Sequence, residues 1–403
     1  MTTDALDHID PRELGNRLQS SRKARGLTQA EVAEHLEVAR TTVTAMESGA
    51  RRVKASELSA LARLYGRSIA ELLQREEPVE PFTVQFRSTL SAGDFENADL
   101  EPHVFEFQRL CEDYLELERL RSAPLPTRYP RPYTIDAERP ERAGADIAGR
   151  ERNRLGLGDG PVWNLRELLE TDAGLRLFYM DLPSRVAAMF SFGRELGGCI
   201  AVNCNHPAER RRHSLSHDYG HFLTDRFRPS ILLLGRYQRV PAQERFAETF
   251  GRAFLLPEAG VVRRFHDLQQ TRSGHITPAD LCVLAHLYYV SLQVMTLRLE
   301  ELDLIPAGTW ERLTQRGFKV REAQALLGLP EQPETPDLLP TRYRYLAAEA
   351  YLAGDLSEGQ LARFVRMDRV AARRMVARLG SSQEVSDEGQ VGREPLDLST
   401  PIA

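Results

Sequence analysis

Apolar positions recur at helical spacing through the first part of the chain. Leu14 and Leu18 stand one turn apart; Val32, Ala33 and Leu36 repeat the interval, as do Val43 with Met46, then Leu58, Leu61, Ala62 and Tyr65, and last Ile69, Leu72 and Leu73. A polar, turn-forming stretch over residues 23–28 separates the first group from the second. No strand-like alternation intervenes. The pattern predicts a five-helix bundle over residues 11–77, ended by the charge and proline of Glu76-Glu77-Pro78-Val79-Glu80-Pro81.

Periodicity weakens over residues 78–142, which read as a connector. The mixed stretch 82–107 suggests short strands, Leu110, Tyr114 and Leu117 mark one amphipathic helix, and prolines 124, 126, 130, 132 and 140 make an extended linker. Residues 143–305 follow a different order. Helical patterns run through Leu155 and Leu165 to Leu169, strand-like runs lie at 175–180, 187–192 and 199–203, and long helices follow near 208–225, 241–255, 277–290 and 291–303. Strands succeeded by helices predict an α+β domain. Residues 306–380 return to helix, at 342–353 and in a short helix pair over 357–379, while the polar residues 381–403 predict a disordered tail. The expected fold class is mostly α with one α+β domain, and no internal repeat of fixed period is visible.

Composition sets the class. With 403 residues, 42% of them hydrophobic and 28% charged, the chain has the make-up of a soluble protein of two or three domains. Four cysteines, Cys111, Cys199, Cys204 and Cys282, lie far apart without a C-x-x-C pair, which disfavours a disulfide framework or a thiolate zinc site. Residues 1–11 carry three aspartates and no apolar core, and no apolar run elsewhere approaches the roughly 18 to 20 residues that span a bilayer. A cytoplasmic location is expected. The formal charge is -5, from 53 basic and 58 acidic residues, which averages over domains of opposite sign. Between Arg17 and Lys54 stand eight basic and four acidic residues.

Within that basic stretch, Thr28 is placed to cap a helix with Glu31 three residues on, and a short turn near residues 36–40 joins it to a second helix. The second helix buries Val43 and Met46 and turns Arg40, Thr41, Thr44 and Ala45 outward, where a recognition helix presents side chains to base edges. Residues 12–73 resemble the Cro/cI-type (XRE-family) helix-turn-helix regulators. The resemblance rests on Leu14-x-x-x-Leu18, Arg22-Lys23-x-x-Gly26-Leu27-Thr28-Gln29-x-Glu31-x-Ala33, Val43, Glu47-x-Gly49 and Leu58-x-x-Leu61-Ala62. It implies that Gln29 fixes the register on the DNA backbone, that Arg40, Thr41 and Ala45 face bases with Thr42 and Thr44 nearby, and that Arg51, Arg52 and Lys54 meet phosphates. It also implies a homodimer on a double-stranded operator, with Glu47 in a structural role.

A second motif, His217-Asp218-Tyr219-Gly220-His221, has the H-x-x-x-H spacing that sets two imidazoles on one helical face, able to share one Zn²⁺. Together with the flanking Arg212-His213-Ser214-Leu215-Ser216 and Phe222-Leu223, and with Glu244-Arg245-Phe246-Ala247-Glu248 leading into Leu255-Leu256-Pro257, it resembles the ImmA/IrrE-type metallopeptidases. The resemblance covers residues 143–303 and implies a zincin-like domain holding zinc through His217, His221 and Glu244, with Glu248 the rival third ligand and His213 structural. Asp218 stands where the family's general base is glutamate. One methylene shorter, it withdraws the carboxylate by on the order of 1 Å, a misplacement that can cost about a hundredfold in rate. A slow zinc metalloendopeptidase of H-D-x-x-H type and a zinc-binding pseudo-peptidase both stand open at this point. The first would cleave a repressor protein, or this chain itself, in response to a signal; the second would be a sensor or partner-binding module on a DNA-binding repressor or antitoxin-like protein. Tyr219 and Tyr237 are candidate oxyanion donors that the sequence does not place.

Between residues 342 and 378 stand eight arginines and four acidic residues. A second DNA-contacting element and an arginine-rich face packed on the α+β domain account for them equally well.

Overall fold

Asp10 accepts a hydrogen bond from the Arg12 amide and Pro11 takes the first helical position, so α1 (Pro11–Ala24) starts where a cap and a proline favour it. The computed structural model describes residues 10–25, 27–65, 69–73, 82, 86, 100–127, 129–233, 241–330, 336–379, 381–385 and 391–395, which fall into two compact units, Met1–Val79 and Glu80–Ala403. The first unit continues through α2 (Gln29–His35), α3 (Arg40–Glu47), α4 (Ala55–Tyr65) and α5 (Ile69–Leu73). Thr28 and Glu31 form a reciprocal capping box at the head of α2. The turn to α3 passes through Glu37 at φ 54°. Leu18, Val32, Val43, Met46, Leu58 and Leu61 close on one core, none more than 2% exposed.

In the second unit the described chain begins with α6 (Glu101–Leu120), α7 (Pro140–Arg154) and α8 (Leu165–Thr171), followed by β1 (Arg176–Met180), β2 (Val186–Gly193), β3 (Gly197–Asn203), α9 (Ala208–Asp225) and β4 (Ser230–Leu233). The sheet order is β1-β3-β2-β4, with β1 and β3 parallel and the other pairs antiparallel. All seven residues of β3 are buried, which fits a central strand covered on both faces. α9 lies on β2 and β3 through Leu215, Tyr219, Phe222 and Leu223. Against it packs α10 (Ala242–Leu255), which in turn packs on α7. The prolines of residues 123–139 hold that segment extended across this unit, fastened by Tyr133 N–H to Leu223 C=O (2.9 Å) and Tyr129 O–H to Gly174 C=O (3.1 Å).

Beyond the α9–α10 pair come α11 (Glu258–Thr271), α12 (Pro278–Tyr288), α13 (Leu292–Glu301), α14 (Thr309–Gln315) and α15 (Val320–Leu326). Three helices then form a C-terminal group: α16 (Thr341–Leu352), α17 (Glu358–Phe364) and α18 (Arg369–Leu379). They dock on α6, where the Tyr343 and Tyr114 rings meet at 5.2 Å and Arg366 reaches Asp113 at 2.6 Å. Where the polar tail predicts no element, Ser381–Val385 (β5) and Val391–Pro395 (β6) pair as an antiparallel ribbon. The periodicity also passes over α11, α14, α15 and β4. α15 buries none of its residues, so no apolar stripe marks it, and β4 spans four residues, too few for alternation to show. Among the described residues no single helix is long and apolar enough to cross a membrane. The connector residues 83–85 and 87–99, Tyr237 and the remainder of the tail lie outside the described residues.

Candidate metal centre and nucleic-acid interface

In the first unit, α3 buries Val43, Met46 and Glu47 and leaves Arg40, Thr41 and Thr44 exposed, with Thr42 and Ala45 half-buried. Glu47 is 4% exposed and forks the Arg22 guanidinium, with Nε to Oε1 at 2.6 Å and Nη2 to Oε2 at 3.0 Å. Gln29 reaches into the same network. Its amide donates to Glu47 Oε2 at 2.9 Å and accepts from the Thr44 hydroxyl at 3.2 Å. Gln29 and Thr44 therefore tie the head of α2 to the outward face of α3. Arg51 is engaged by both oxygens of Glu57 at 3.1 and 2.8 Å, and Glu57 also caps α4 by accepting from the Lys54 amide. Arg52 and the Lys54 side chain are exposed on the loop between α3 and α4.

In the second unit, the one-turn spacing on α9 brings His217 Nε2 to 3.1 Å from His221 Nε2. From α10, Glu244 points its carboxylate at both, Oε2 lying 3.3 Å from His217 Nε2 and Oε1 3.5 Å from His221 Nε2. Donors held about 2.0–2.1 Å from one tetrahedral centre stand roughly 3.3 Å from each other. The three separations bracket that value, so the set fits a zinc-sized cation. His217, Asp218 and His221 form an overlapping trio whose ligand atoms lie within 4.8 Å. Glu244 approaches both Nε2 atoms from the neighbouring helix, whereas Asp218 follows His217 directly, about 100° round α9 from it.

Asp218 is 1% exposed, and neither carboxylate oxygen has a hydrogen-bond partner among the described residues. Burial pushes its pKa up, to about 7, with the Glu244 charge adding to the rise and His217 opposing it. Burial would lower His217, but the facing carboxylates of Glu244 and Glu248, together with the Asp218 charge, raise it. Burial lowers His221, against the pull of Glu244. Burial raises Glu244, but the two histidines outweigh it and hold the carboxyl well below the usual carboxylate range. Carboxylates that draw a proton onto a buried imidazole would equally favour a metal cation at that point.

Glu248, one turn along α10, lies on the other side of His217. Its carboxylate is 3.8 Å from His217 Nδ1, too long for a hydrogen bond, and 3.5 Å from His213 Nε2. Arg252 holds it at 3.6 Å while pairing with Glu301 at 2.6 Å. Tyr219 turns away from the histidines: its hydroxyl donates to Glu151 at 2.7 Å and accepts from Arg154 at 2.9 Å. This Glu151 cluster, completed by Tyr133 at 2.8 Å, escaped the sequence because its members are far apart along the chain. Arg252 was likewise missed, and its place one turn after Glu248 is the signal that could have found it.

A helix pair whose second helix turns polar side chains outward beside a basic loop, and an α+β unit with two histidines and a glutamate around one point, define a DNA-binding regulator joined to a peptidase-like domain. The comparisons agree. Residues 13–74 match the helix-turn-helix domain family, and residues 170–300 match the IrrE N-terminal-like domain family. The chain is thus a fusion of these two domains. No curated protein matches it significantly. The crystal structure of ComR from Streptococcus suis aligns at 13% identity over 91% of this chain and 96% of that one, with a TM-score of 0.16. The crystal structure of Bacillus thuringiensis PlcR in complex with the peptide PapR7 and DNA aligns at 10% identity over 91% and 98%, with a TM-score of 0.15. At those scores neither likeness bears on this chain's fold or function.

Proposed function

We propose that the chain is a cytoplasmic transcriptional regulator that binds a double-stranded operator as a homodimer and carries a zinc peptidase site acting on a repressor protein, or on its own chain, in response to a signal. The observation that carries the zinc reading is the convergence of His217, His221 and Glu244 beside the buried carboxylate of Asp218. These three residues hold the metal, and Glu248 keeps the far side of the His217 ring facing a carboxylate. When bound, Zn²⁺ supplies Lewis acidity toward a peptide carbonyl and toward water. Asp218 is the proton acceptor and later the donor to the leaving amine. On the operator, Arg40, Thr41 and Ala45 face the bases and Arg52 and Lys54 the phosphates. Thr42 lies beside them, Thr44 and Gln29 position them, and Arg51 shares its charge with Glu57.

Burial favours a second reading, in which the zinc site is a sensor with little or no peptidase activity. His217, Asp218 and His221 are 3%, 1% and 7% exposed, so a peptide reaches them only after the site opens. Metal content and cleavage separate the two readings. Zinc measured in purified wild type, His217→Ala and Glu244→Gln is expected to be stoichiometric in the first and largely lost in the variants. Cleavage of the chain itself and of repressors encoded nearby is then assayed with Asp218→Glu as a gain control. Activity in wild type supports the peptidase; full zinc with activity confined to Asp218→Glu supports the sensor; absence of metal from wild type removes both.

A further inference from the structure

The C-terminal helix pair repeats the first one residue for residue. Laid on each other from Thr28 and Ser357, the two pairs need no gap. Each opens on a capping box, Thr28 with Glu31 and Ser357 with Gln360, and each first helix has seven residues. Each turn runs through a left-handed residue at the same place, Glu37 at φ 54° and Arg366 at φ 55°. The turn hydrogen bonds coincide too: Val38 N–H to Ala33 C=O at 3.0 Å has its counterpart in Met367 N–H to Ala362 C=O at 3.1 Å. Val43 and Met46, which seat α3 on its core, fall on Ala372 and Met375, which seat α18. The same left-handed turn also joins α12 to α13 at Tyr289, φ 56°, so what sets these two pairs apart is the match of first-helix length, turn and buried positions together, without a gap. Identical residues are few, among them Ala33 with Ala362 and Arg40 with Arg369, which is why no repeat shows in the sequence.

The arginines divide by helix. Arg342 pairs with Glu118, Arg344 with Asp337, Arg363 with Glu116 and Arg366 with Asp113 and Glu106. These fasten the group to α6 and to the segment before α16. On α18 the positions matching Arg40, Thr41, Thr44 and Ala45 are Arg369, Val370, Arg373 and Arg374, all exposed, with Arg378 one turn beyond Arg374. α18 contains no acidic residue, and its one ion pair among the described residues, Arg373 to Glu358, is 3.8 Å long and well exposed.

We propose that α16–α18 is a second helix-turn-helix and that α18 binds the phosphates and groove of double-stranded DNA through Arg369, Arg373 and Arg374. Planar guanidiniums on an outward helix free of carboxylates match a polyphosphate surface. The test uses the full chain and a random-sequence duplex. Removing three phosphate contacts lowers the slope of log binding constant against log salt by about 0.9 each, so Arg369→Ala/Arg373→Ala/Arg374→Ala is expected to reduce it by between two and three. The same reduction is expected in an Arg40→Ala background, and because Arg40→Ala touches the first pair alone, failure of either pair is read separately. A photoreactive residue at Val370, with the arginines intact, is expected to crosslink to DNA. An unchanged slope with no crosslink to DNA overturns the proposal, as does a crosslink from Val370 to protein alone.

Discussion

Glu47 shows how one buried charge sets a functional surface. Removing it strands the Arg22 guanidinium and frees Gln29, so Glu47→Ala is expected to cost about 3–5 kcal/mol, the range for breaking a buried pair from one side. A lowered urea midpoint of the first unit would show it, with Glu47→Gln milder because the amide still accepts. Burial raises the Glu47 carboxyl, but hydrogen bonds from Arg22 and Gln29 outweigh it and hold the pKa below the ordinary carboxylate range. Its contribution is therefore present above the unfolded-state pKa and lost as pH falls through the lower folded one. The structural character of Glu47 was legible through the helix-turn-helix resemblance. The partnership of Arg51 with Glu57 was not, because a guanidinium on a basic loop looks the same in sequence whether it awaits a phosphate or already holds a carboxylate. Likewise, Glu244 and Glu248 share one face of α10, so spacing alone does not separate them, and the preference for Glu244 came from the family resemblance. Which of them meets the two Nε2 atoms depends on where α10 crosses α9.

The crossing is fixed by glycines. A Cβ on Gly251 would lie 3.1 Å from Ser216 Oγ and 3.2 Å from the His217 nitrogen, and one on Gly144 would lie 2.8 Å from the Phe246 carbonyl oxygen and 3.0 Å from the Phe250 nitrogen. Both glycines therefore let α10 sit close, Gly251 against the histidine helix and Gly144 against α7. Because the obstacle to Gly144→Ala is backbone, α10 has to shift. The expected result is about 1–3 kcal/mol of lost stability, together with weaker zinc binding, since Glu244 rides on the displaced helix. Zinc affinity equal to wild type in a folded Gly144→Ala protein would show that the crossing does not set the site. At this scale the sequence was most readable where one face is apolar: α1 to α4, β1 to β3 and α9 stand close to where the periodicity puts them. It was least readable where an element buries little, as in α15, or where its meaning lies in a turn, as at Arg366, whose left-handed backbone no composition announces.

At the scale of the molecule, the charge of -5 conceals two basic helices, α3 with its following loop and α18, each on a unit with its own contacts. Leu18, Val32 and Met46 belong to one core and Leu215, Phe222 and Phe250 to another, so unfolding is expected in two transitions. A ligand bound only by a folded unit stabilises that unit by RT ln(1 + [L]/Kd), about 2.7 kcal/mol at a hundredfold excess over Kd. Zinc is therefore expected to raise the second unit's transition by a few degrees, to leave the first in place, and to be reversed by a chelator. Zinc that moves both transitions equally, or neither, would contradict the placement of the site in the second unit. Duplex DNA is expected to behave differently. Through α3 it raises the first transition, and through α18 it raises the second as well; the Arg369→Ala/Arg373→Ala/Arg374→Ala chain should keep the first shift and lose the second. Scanning calorimetry of the full chain with each ligand thus assigns zinc to one unit and DNA to both.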